Sequence, residues 1–209
     1  MIKASGEKDD GTVLPVVEDF FSLQGEGFHA GKAAYFIRIG GCDVGCSWCD
    51  SRFSWNPDMH PMVETVTIVE RVIKSGTDSV VVTGGEPLMW NLDFLCSELK
   101  RKNISTFIET SGAYQLSGAW DWICLSPKKN MPPTDEICKV ADELKVIIQN
   151  NSDFEWAEKY RSMVGSKCKL YLQPEWSRFD IIIPEIVEYI KRKPFWRISL
   201  QVHKYMHIP

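Results

Sequence analysis

The sequence of 209 residues lacks any long apolar run, any low-complexity tract and any excess of positive charge. A helix that spans a bilayer needs about 20 consecutive apolar residues, so the sequence predicts no membrane partner. Its 24 Lys and Arg are outnumbered by 28 Asp and Glu, which argues against a nucleic-acid partner. Residues 1–11 also lack the apolar segment of a secretory signal peptide. We therefore expect a cytoplasmic protein that acts on a small molecule.

No internal repeat or linker divides the chain, which predicts one domain over residues 1–209. Apolar, strand-like runs recur along it, at residues 34–39, 79–83, 105–109, 120–125, 143–148, 169–173 and 196–201. Stretches with helical apolar spacing lie between several of them; one, residues 180–193, contains Pro184 and is predicted to be short or kinked. This alternation predicts parallel βαβ units and an α/β fold. Because a complete barrel needs eight strands and eight helices, we expect an incomplete TIM-like barrel of about six to seven mostly parallel strands.

Short polar or glycine-rich segments follow four of the predicted strands. They are TGGEP at 83–87, ETSG at 109–112, SPKK at 126–129 and QPEW at 173–176. In a parallel α/β barrel, the loops after the carboxyl ends of the strands build the active site. Gly-Gly and Ser-Pro also form plain turns, so one such loop alone is a weak signal. Four of them together predict the mouth of an active site.

Three of the seven cysteines, Cys42, Cys46 and Cys49, form a C-x3-C-x2-C set. Three thiolates can bind three irons of a [4Fe–4S] cluster, which proteins usually hold with four cysteines. The fourth iron then stays open to another ligand. Structural zinc is the main alternative, but it needs four ligands, and the nearest candidate, His60, lies eleven positions beyond Cys49. The remaining cysteines are expected to be small buried apolar residues: Cys96, Cys124, Cys138 and Cys168.

The segment FFSLQGEGFHAGKAAYFIRIGGCDVGCSWCDS, residues 20–51, closely resembles the N-terminal signature of the 7-carboxy-7-deazaguanine synthases, which are radical S-adenosylmethionine (SAM) enzymes. GGEP after the next strand and the tail LQVHKYMHIP also fit that family. The resemblance runs over residues 20–209 and leaves 1–19 as an N-terminal extension. It implies a homodimeric carbon–nitrogen lyase that converts 6-carboxy-5,6,7,8-tetrahydropterin to 7-carboxy-7-deazaguanine and ammonia, in queuosine or other deazapurine biosynthesis.

The resemblance also implies the cofactors and their sites. The three cysteines hold the [4Fe–4S] cluster, SAM binds its open iron, and Ser51 stands at the position of a Mg²⁺ ligand that is commonly threonine in the family. The electron is expected from a donor such as flavodoxin or ferredoxin. No side chain is assigned as an acid or base. The substrate-binding residues implied are Leu23, Gln24, Gly25, Glu26, Arg38, Thr83, Glu109, His203 and Pro209. The residues implied for SAM are Gly84, Gly85, Glu86, Ser126, Pro127, Lys128, Gln173, Pro174, Glu175 and Trp176.

Two of the implied substrate contacts also have plain structural interpretations. Arg38 has the geometry to bind a carboxylate through two parallel hydrogen bonds, but arginines on strands also form surface ion pairs. The tail, residues 201–209, is either a frayed end or a segment that folds back across the barrel mouth. In the second case the resemblance implies that the α-carboxylate of Pro209 accepts hydrogen bonds from the pterin.

Two other functions fit parts of the sequence. An activase of a glycyl-radical enzyme has the same cysteine spacing, but it needs a protein partner and has no use for the SLQGEG segment. A zinc-stapled or tRNA-binding accessory module predicts a basic face, which the acidic balance disfavours.

Overall fold

The structure, a computed structural model, describes residues 10–209. Over these residues the chain forms a sheet of nine strands in the spatial order β3-β1-β2-β4-β5-β6-β7-β8-β9. The strands are β1 Val13–Leu23, β2 Ala33–Ile39, β3 Met62–Glu64, β4 Ser79–Gly84, β5 Ser105–Thr110, β6 Trp122–Leu125, β7 Glu143–Ile148, β8 Lys169–Pro174 and β9 Arg197–Ile198.

Six α-helices connect or flank these strands within the same residues. They are α1 Thr65–Ser75, α2 Asp93–Arg101, α3 Asp135–Val140, α4 Ser152–Arg161, α5 Phe179–Arg192 and α6 Val202–Met206. None of the described helices combines the length and the apolar character needed to cross a membrane.

Seven neighbouring strands, from β2 to β9, pair in parallel. β3 and β9 end the sheet on opposite sides, and no pairing joins them within the described residues. The sheet is therefore open. The predicted α/β fold, an incomplete barrel of mostly parallel strands, is confirmed.

The sequence analysis missed two strands, β1 and β3, which pair antiparallel at one edge of the sheet. β1 contains a proline and two acidic residues, types that are depleted in strands. Its register with β2 also shifts between Val16 and Glu18, which breaks the alternating pattern. Because β1 begins at Val13, the expected extension over residues 1–19 joins the sheet in its last part. Residues 1–9 lie outside the described residues.

The apolar core lies on the outer face of the sheet, beneath the helices. α1 buries Ile68 and Val72, and α2 buries Leu95 and Leu99, against strand side chains such as Ile108. Apolar residues spaced three or four apart lie on one face of a helix, which is why these helices pack on the sheet.

Helix α5 continues through Pro184 to Arg192, so the expectation that it ends early is wrong. Pro184 is the sixth residue of the helix, and its missing N–H removes only the hydrogen bond to the carbonyl of Asp180 in the first turn. Ile182 and Ile186 are buried where α5 packs against β8 and β9. This burial stabilises the helix on both sides of the proline.

The inner face of the sheet is polar toward the carboxyl ends of its strands. Side chains alternate between the two faces along a strand. Successive parallel strands accordingly place Arg38, Thr83, Glu109, Lys145 and Gln173 around one interior cavity. The fold thus gathers at one end of the barrel residues that are far apart in sequence.

Candidate active site

The carboxyl ends of the parallel strands open into a cavity of about 280 Å³, close to the lower end of the size range of small-molecule sites. Every substrate, SAM and metal residue implied by the sequence lines this cavity except Pro127. The Pro127 carbonyl instead accepts a hydrogen bond from Trp156 Nε1 at 3.3 Å, which turns this peptide toward α4.

The cysteine loop, residues 40–51, follows β2. It presents Cys42, Cys46 and Cys49 at the cavity wall, each half-buried and outside any disulfide. The loop is held by backbone and side-chain contacts. Asn130 Nδ2 donates to the Gly45 carbonyl at 2.8 Å, and Gly45 has a φ of 68°, a value that glycine adopts without strain.

These three cysteines fit a cluster with one open iron. His60, the fourth ligand of the zinc alternative, does not line the cavity, and its Nε2 lies 2.9 Å from the Phe53 carbonyl oxygen. Among residues 10–209 no three His, Cys, Asp or Glu side chains gather around a single ion position. That finding is compatible with a cluster, because thiolates that bind separate irons stand farther apart than ligands of one ion.

The GGEP loop packs directly on the cysteine loop. Gly85 N donates to the Ile39 carbonyl at 2.9 Å, and Glu86 N donates to the Gly41 carbonyl at 2.8 Å. A Cβ on Gly85 would overlap the Gly41 carbonyl, so only glycine permits this approach. The two loops therefore form one wall of the cavity.

The Glu86 carboxylate is 1% exposed and fixes the GGEP loop to the end of β5. It accepts hydrogen bonds from Leu88 N at 3.1 Å, Thr110 Oγ1 at 2.5 Å, Ser111 N at 2.7 Å and Ser111 Oγ at 2.5 Å. Both oxygens thus accept hydrogen bonds from the protein, so Glu86 braces the GGEP loop.

Lys128 and Glu175, two other residues implied for SAM, have different surroundings. Lys128 Nζ donates to the Ser126 carbonyl at 2.7 Å and lies 5.5 Å from the centre of the Trp48 ring, beside the cysteine loop. Burial lowers the Lys128 pKa, and the nearby Cys46 opposes that effect. The Glu175 carboxylate instead accepts a hydrogen bond from Ser177 N at 2.9 Å. It caps a helical turn, so this contact is a structural one.

A charge cluster around the buried Lys145 forms another wall. Lys145 Nζ lies 2.5 Å from Glu26 Oε2 and 3.4 Å from Glu109 Oε1. Gln24 Nε2 donates to Glu109 Oε1 at 3.0 Å, and Gln201 Nε2 donates to Glu26 Oε1 at 2.9 Å. The sequence analysis missed Lys145 and Gln201. A lysine inside the apolar strand ELKVII is a signal that could have identified the first, since lysine is rarely buried without a partner.

Electrostatics keep Glu26 and Lys145 ionised. Burial raises the pKa of Glu26, but the Lys145 charge and hydrogen bonds from Lys145, Gln201 and Gln173 outweigh it and lower the pKa to about 2. Burial lowers the pKa of Lys145, but Glu109 and Glu26 outweigh it and raise the pKa well above its ordinary value. Glu26 and Lys145 therefore form a pair of opposite charges near neutral pH.

Arg38 forms the surface ion pair weighed from the sequence and also lines the cavity. Its Nε donates to Glu18 Oε1 at 2.8 Å, so the surface ion pair is present. The same side chain lines the cavity, whereas Glu18 does not. The pair with Glu18 uses Nε, which leaves the end-on edge of the guanidinium as a geometry for binding a carboxylate.

The tail packs against three parts of the site. Val202 N donates to the Gly25 carbonyl at 2.9 Å, Ser22 Oγ donates to the main-chain oxygen of Pro209 at 3.1 Å, and Lys204 Nζ donates to Asp50 Oδ2 at 2.9 Å. These contacts join the tail to β1, to the LQGEG loop at residues 23–27 and to the cysteine loop. The tail thus lies across the mouth of the barrel instead of projecting away from it.

Comparisons with known proteins agree with this architecture. Residues 36–122 match the family model of the Radical SAM superfamily. A 7-carboxy-7-deazaguanine synthase of Flavobacterium psychrophilum is 53% identical over 96% of this chain and 95% of that protein. The enzyme of the same name from Synechocystis sp. is 45% identical over 93% of each chain. The crystal structure of QueE from Escherichia coli superimposes with a TM-score of 0.82 and 27% identity, covering 92% of this chain and 95% of that one.

The open barrel, the cysteine set and the family match define a radical SAM enzyme, whose cofactors are a [4Fe–4S] cluster and SAM. Within that superfamily the chain belongs to the 7-carboxy-7-deazaguanine synthase family. The resemblance stated from the sequence is confirmed.

Proposed function

We propose that the protein converts 6-carboxy-5,6,7,8-tetrahydropterin to 7-carboxy-7-deazaguanine with release of ammonia. The observation that carries the proposal is the division of one cavity between the cysteine loop and a wall of partly buried acceptors. Glu26 and Glu109 offer carboxylate oxygens to the amino and ring N–H groups of a pterin, and ionised carboxylates only accept hydrogen bonds. Arg38, on β2, lines the same cavity and offers donors to the substrate carboxylate.

The chain's own residues bind and orient the reactants. When bound, the cluster and SAM supply one-electron reduction and hydrogen-atom abstraction. The three cysteines hold the cluster, the glycines of the GGEP loop admit the methionine part of SAM close to the backbone, and the acceptor wall fixes the pterin ring. The tail covers the mouth and limits access of water to the reacting carbon.

Magnesium, dimerisation and the electron donor extend this proposal. Ser51 Oγ lines the cavity and lies 3.5 Å from Asp50 Oδ1, so a hard oxygen donor is available there, with substrate oxygens and waters completing the shell. We also propose a single domain over residues 1–209, a homodimer, an electron donor such as flavodoxin or ferredoxin, and action in the cytoplasm, where reducing conditions preserve free cysteines.

The activase alternative is disfavoured. Relatives that are 53% and 45% identical over nearly the whole chain are 7-carboxy-7-deazaguanine synthases, and no observation on this chain favours a protein substrate over a small molecule.

The proposed reaction is tested with anaerobically reconstituted protein, SAM, a reductant and the carboxypterin. We expect 7-carboxy-7-deazaguanine and equimolar ammonia by mass spectrometry and ammonia assay, with SAM consumed in a smaller amount than the product formed. Cleavage of SAM to 5′-deoxyadenosine with the carboxypterin left unchanged would contradict the proposal.

Replacing Arg38 by alanine is expected to weaken binding of the carboxypterin and leave the cluster intact. Losing a charge-assisted contact costs about 1.5–3 kcal/mol, which corresponds to roughly a ten- to hundredfold rise in Kd. Glu18→Gln is the matched control, because it removes the Glu18 carboxylate and keeps the guanidinium at the cavity. The measurement is a binding titration without reductant. Equal affinity of Arg38→Ala and the unaltered protein would remove Arg38 from the substrate site.

A further inference from the structure

Lys145 is a buried lysine that the sequence motifs of the active site do not include. It lies in the middle of β7, in the segment ELKVII, where Leu144 and Val146 point into the apolar core beneath the helices. Its side chain points to the opposite face, lines the cavity and is 4% exposed. A buried ammonium is stable only with good ionic partners, so its contacts define what it does.

Those partners are the two carboxylates that the proposed function assigns to the pterin. Glu26 belongs to the loop after β1, and Glu109 lies near the end of β5. They are 83 positions apart in sequence, yet the ammonium contacts both, at 2.5 Å and 3.4 Å. Gln201 donates to the other oxygen of the Glu26 carboxylate, and Gln24 donates to the Glu109 oxygen that Lys145 also contacts. Lys145 therefore stands between two acceptors of one ligand.

From this geometry we propose that Lys145 is a positioning residue. It holds the carboxylates of Glu26 and Glu109 side by side at the cavity wall, so that both accept hydrogen bonds from the amino and ring N–H groups of the substrate. The inference rests on the proposed function, because it concerns the same site. A protonated carboxylic acid would present a donor to those N–H groups. The ammonium thus sets both the orientation and the charge of the wall.

The other charged groups around this cluster do not replace the ammonium. Glu143 lies two residues before Lys145 on the same strand, and its negative charge faces Lys145 together with the Cys124 thiol. Lys128 is the other lysine whose charge interacts with Lys145. Around Glu26, His203 and Asp50 are the further titratable neighbours, and burial lowers the pKa of His203 and thus disfavours its cationic form.

The consequence can be measured as a pH dependence of binding. With Lys145 present, the pKa of Glu26 is lowered to about 2, so Glu26 stays ionised across an assay range of about pH 5.5 to 8.5. Without the ammonium, burial, the largest effect on the Glu26 pKa, is opposed only by the hydrogen bonds from Gln201 and Gln173, and the Glu26 pKa rises. Acceptors are then lost as the pH falls, and binding weakens on the acidic side.

The experiment is a titration of reconstituted protein with the carboxypterin, in the presence of SAM and without reductant, over that pH window. For Lys145→Met we expect a Kd at least about tenfold higher than that of the unaltered protein at pH 7. The ratio of the two Kd values should increase by about another tenfold between pH 7 and pH 5.5. Taking the ratio cancels the titration of the pterin itself. Lys145→Arg keeps the charge, so the ratio of its Kd to that of the unaltered protein is expected not to change with pH.

Loss of a buried cation also threatens folding, so a charge-matched variant accompanies the single one. Lys145→Met with Glu143→Gln keeps the formal charge of the cluster and both substrate carboxylates, and Glu143→Gln alone is its control. A pH-independent ratio in the folded double variant would overturn the positioning role. If the unaltered protein itself does not bind the carboxypterin, the proposed function and this inference both fall.

Discussion

Replacing any one of Cys42, Cys46 and Cys49 by alanine is expected to abolish 5′-deoxyadenosine formation and to remove the bound iron. All three thiols line one wall of the cavity, and the GGEP loop packs against that wall through Gly85. A [4Fe–4S] cluster with two protein ligands loses an anchoring corner in addition to the one already open to SAM. The loss of activity should therefore be complete and not graded.

The measurement is iron and sulfide content with visible absorption after anaerobic purification, where the unaltered protein should hold about four irons per chain. Cys168→Ala is the matched control, because Cys168 is also a half-buried free cysteine but does not line the cavity. It should keep the iron and the colour. One tightly bound zinc per chain in the unaltered protein, with no iron, would refute the cluster.

Extending the chain beyond Pro209 is expected to weaken substrate binding by at least about tenfold, the loss that corresponds to one charge-assisted contact. Pro209 lines the cavity, and its main-chain oxygen accepts a hydrogen bond from Ser22 on β1. Added residues begin at the cavity wall and remove the carboxylate that the family resemblance assigns to the pterin. A C-terminal affinity tag therefore acts on the site although it alters no side chain.

The control for this result is the same tag placed before Met1. Both tagged proteins should hold equal iron, because the tail contributes no cysteine, and their thermal unfolding should be similar. Deleting Ile208 and Pro209 should reproduce the effect of the C-terminal tag. If both tagged proteins bind the carboxypterin with equal affinity, the tail is only a frayed end.

Most of the parallel strands could be predicted because they contain short runs of β-branched and other apolar residues, as in VVV at 80–82 and VII at 146–148. The antiparallel edge could not, since β1 is half exposed and interrupted by a bulge between Val16 and Glu18. Pro184 misled the sequence analysis for a related reason: local propensity argued for a break, and burial of the helix face outweighed it.

The site residues that follow the carboxyl ends of the parallel strands could be predicted from the sequence. The residues after β2, β4, β5, β6 and β8 meet because the carboxyl ends of parallel strands share one edge. Lys145 could not be placed in this way, because it lies in mid-strand and its partners, Glu26 and Glu109, become visible only when the barrel brings three elements together. Gln201 likewise depends on the return of the tail.

The contact between Ser22 and Pro209 spans 187 positions, and it has a consequence for biosynthesis. Synthesis proceeds from the amino terminus, and the cysteine loop leaves the ribosome long before the tail does. The nascent chain therefore presents its iron ligands while one wall of the substrate site does not yet exist. A chain whose synthesis ends before the tail therefore has the cysteine loop but lacks the segment that covers it.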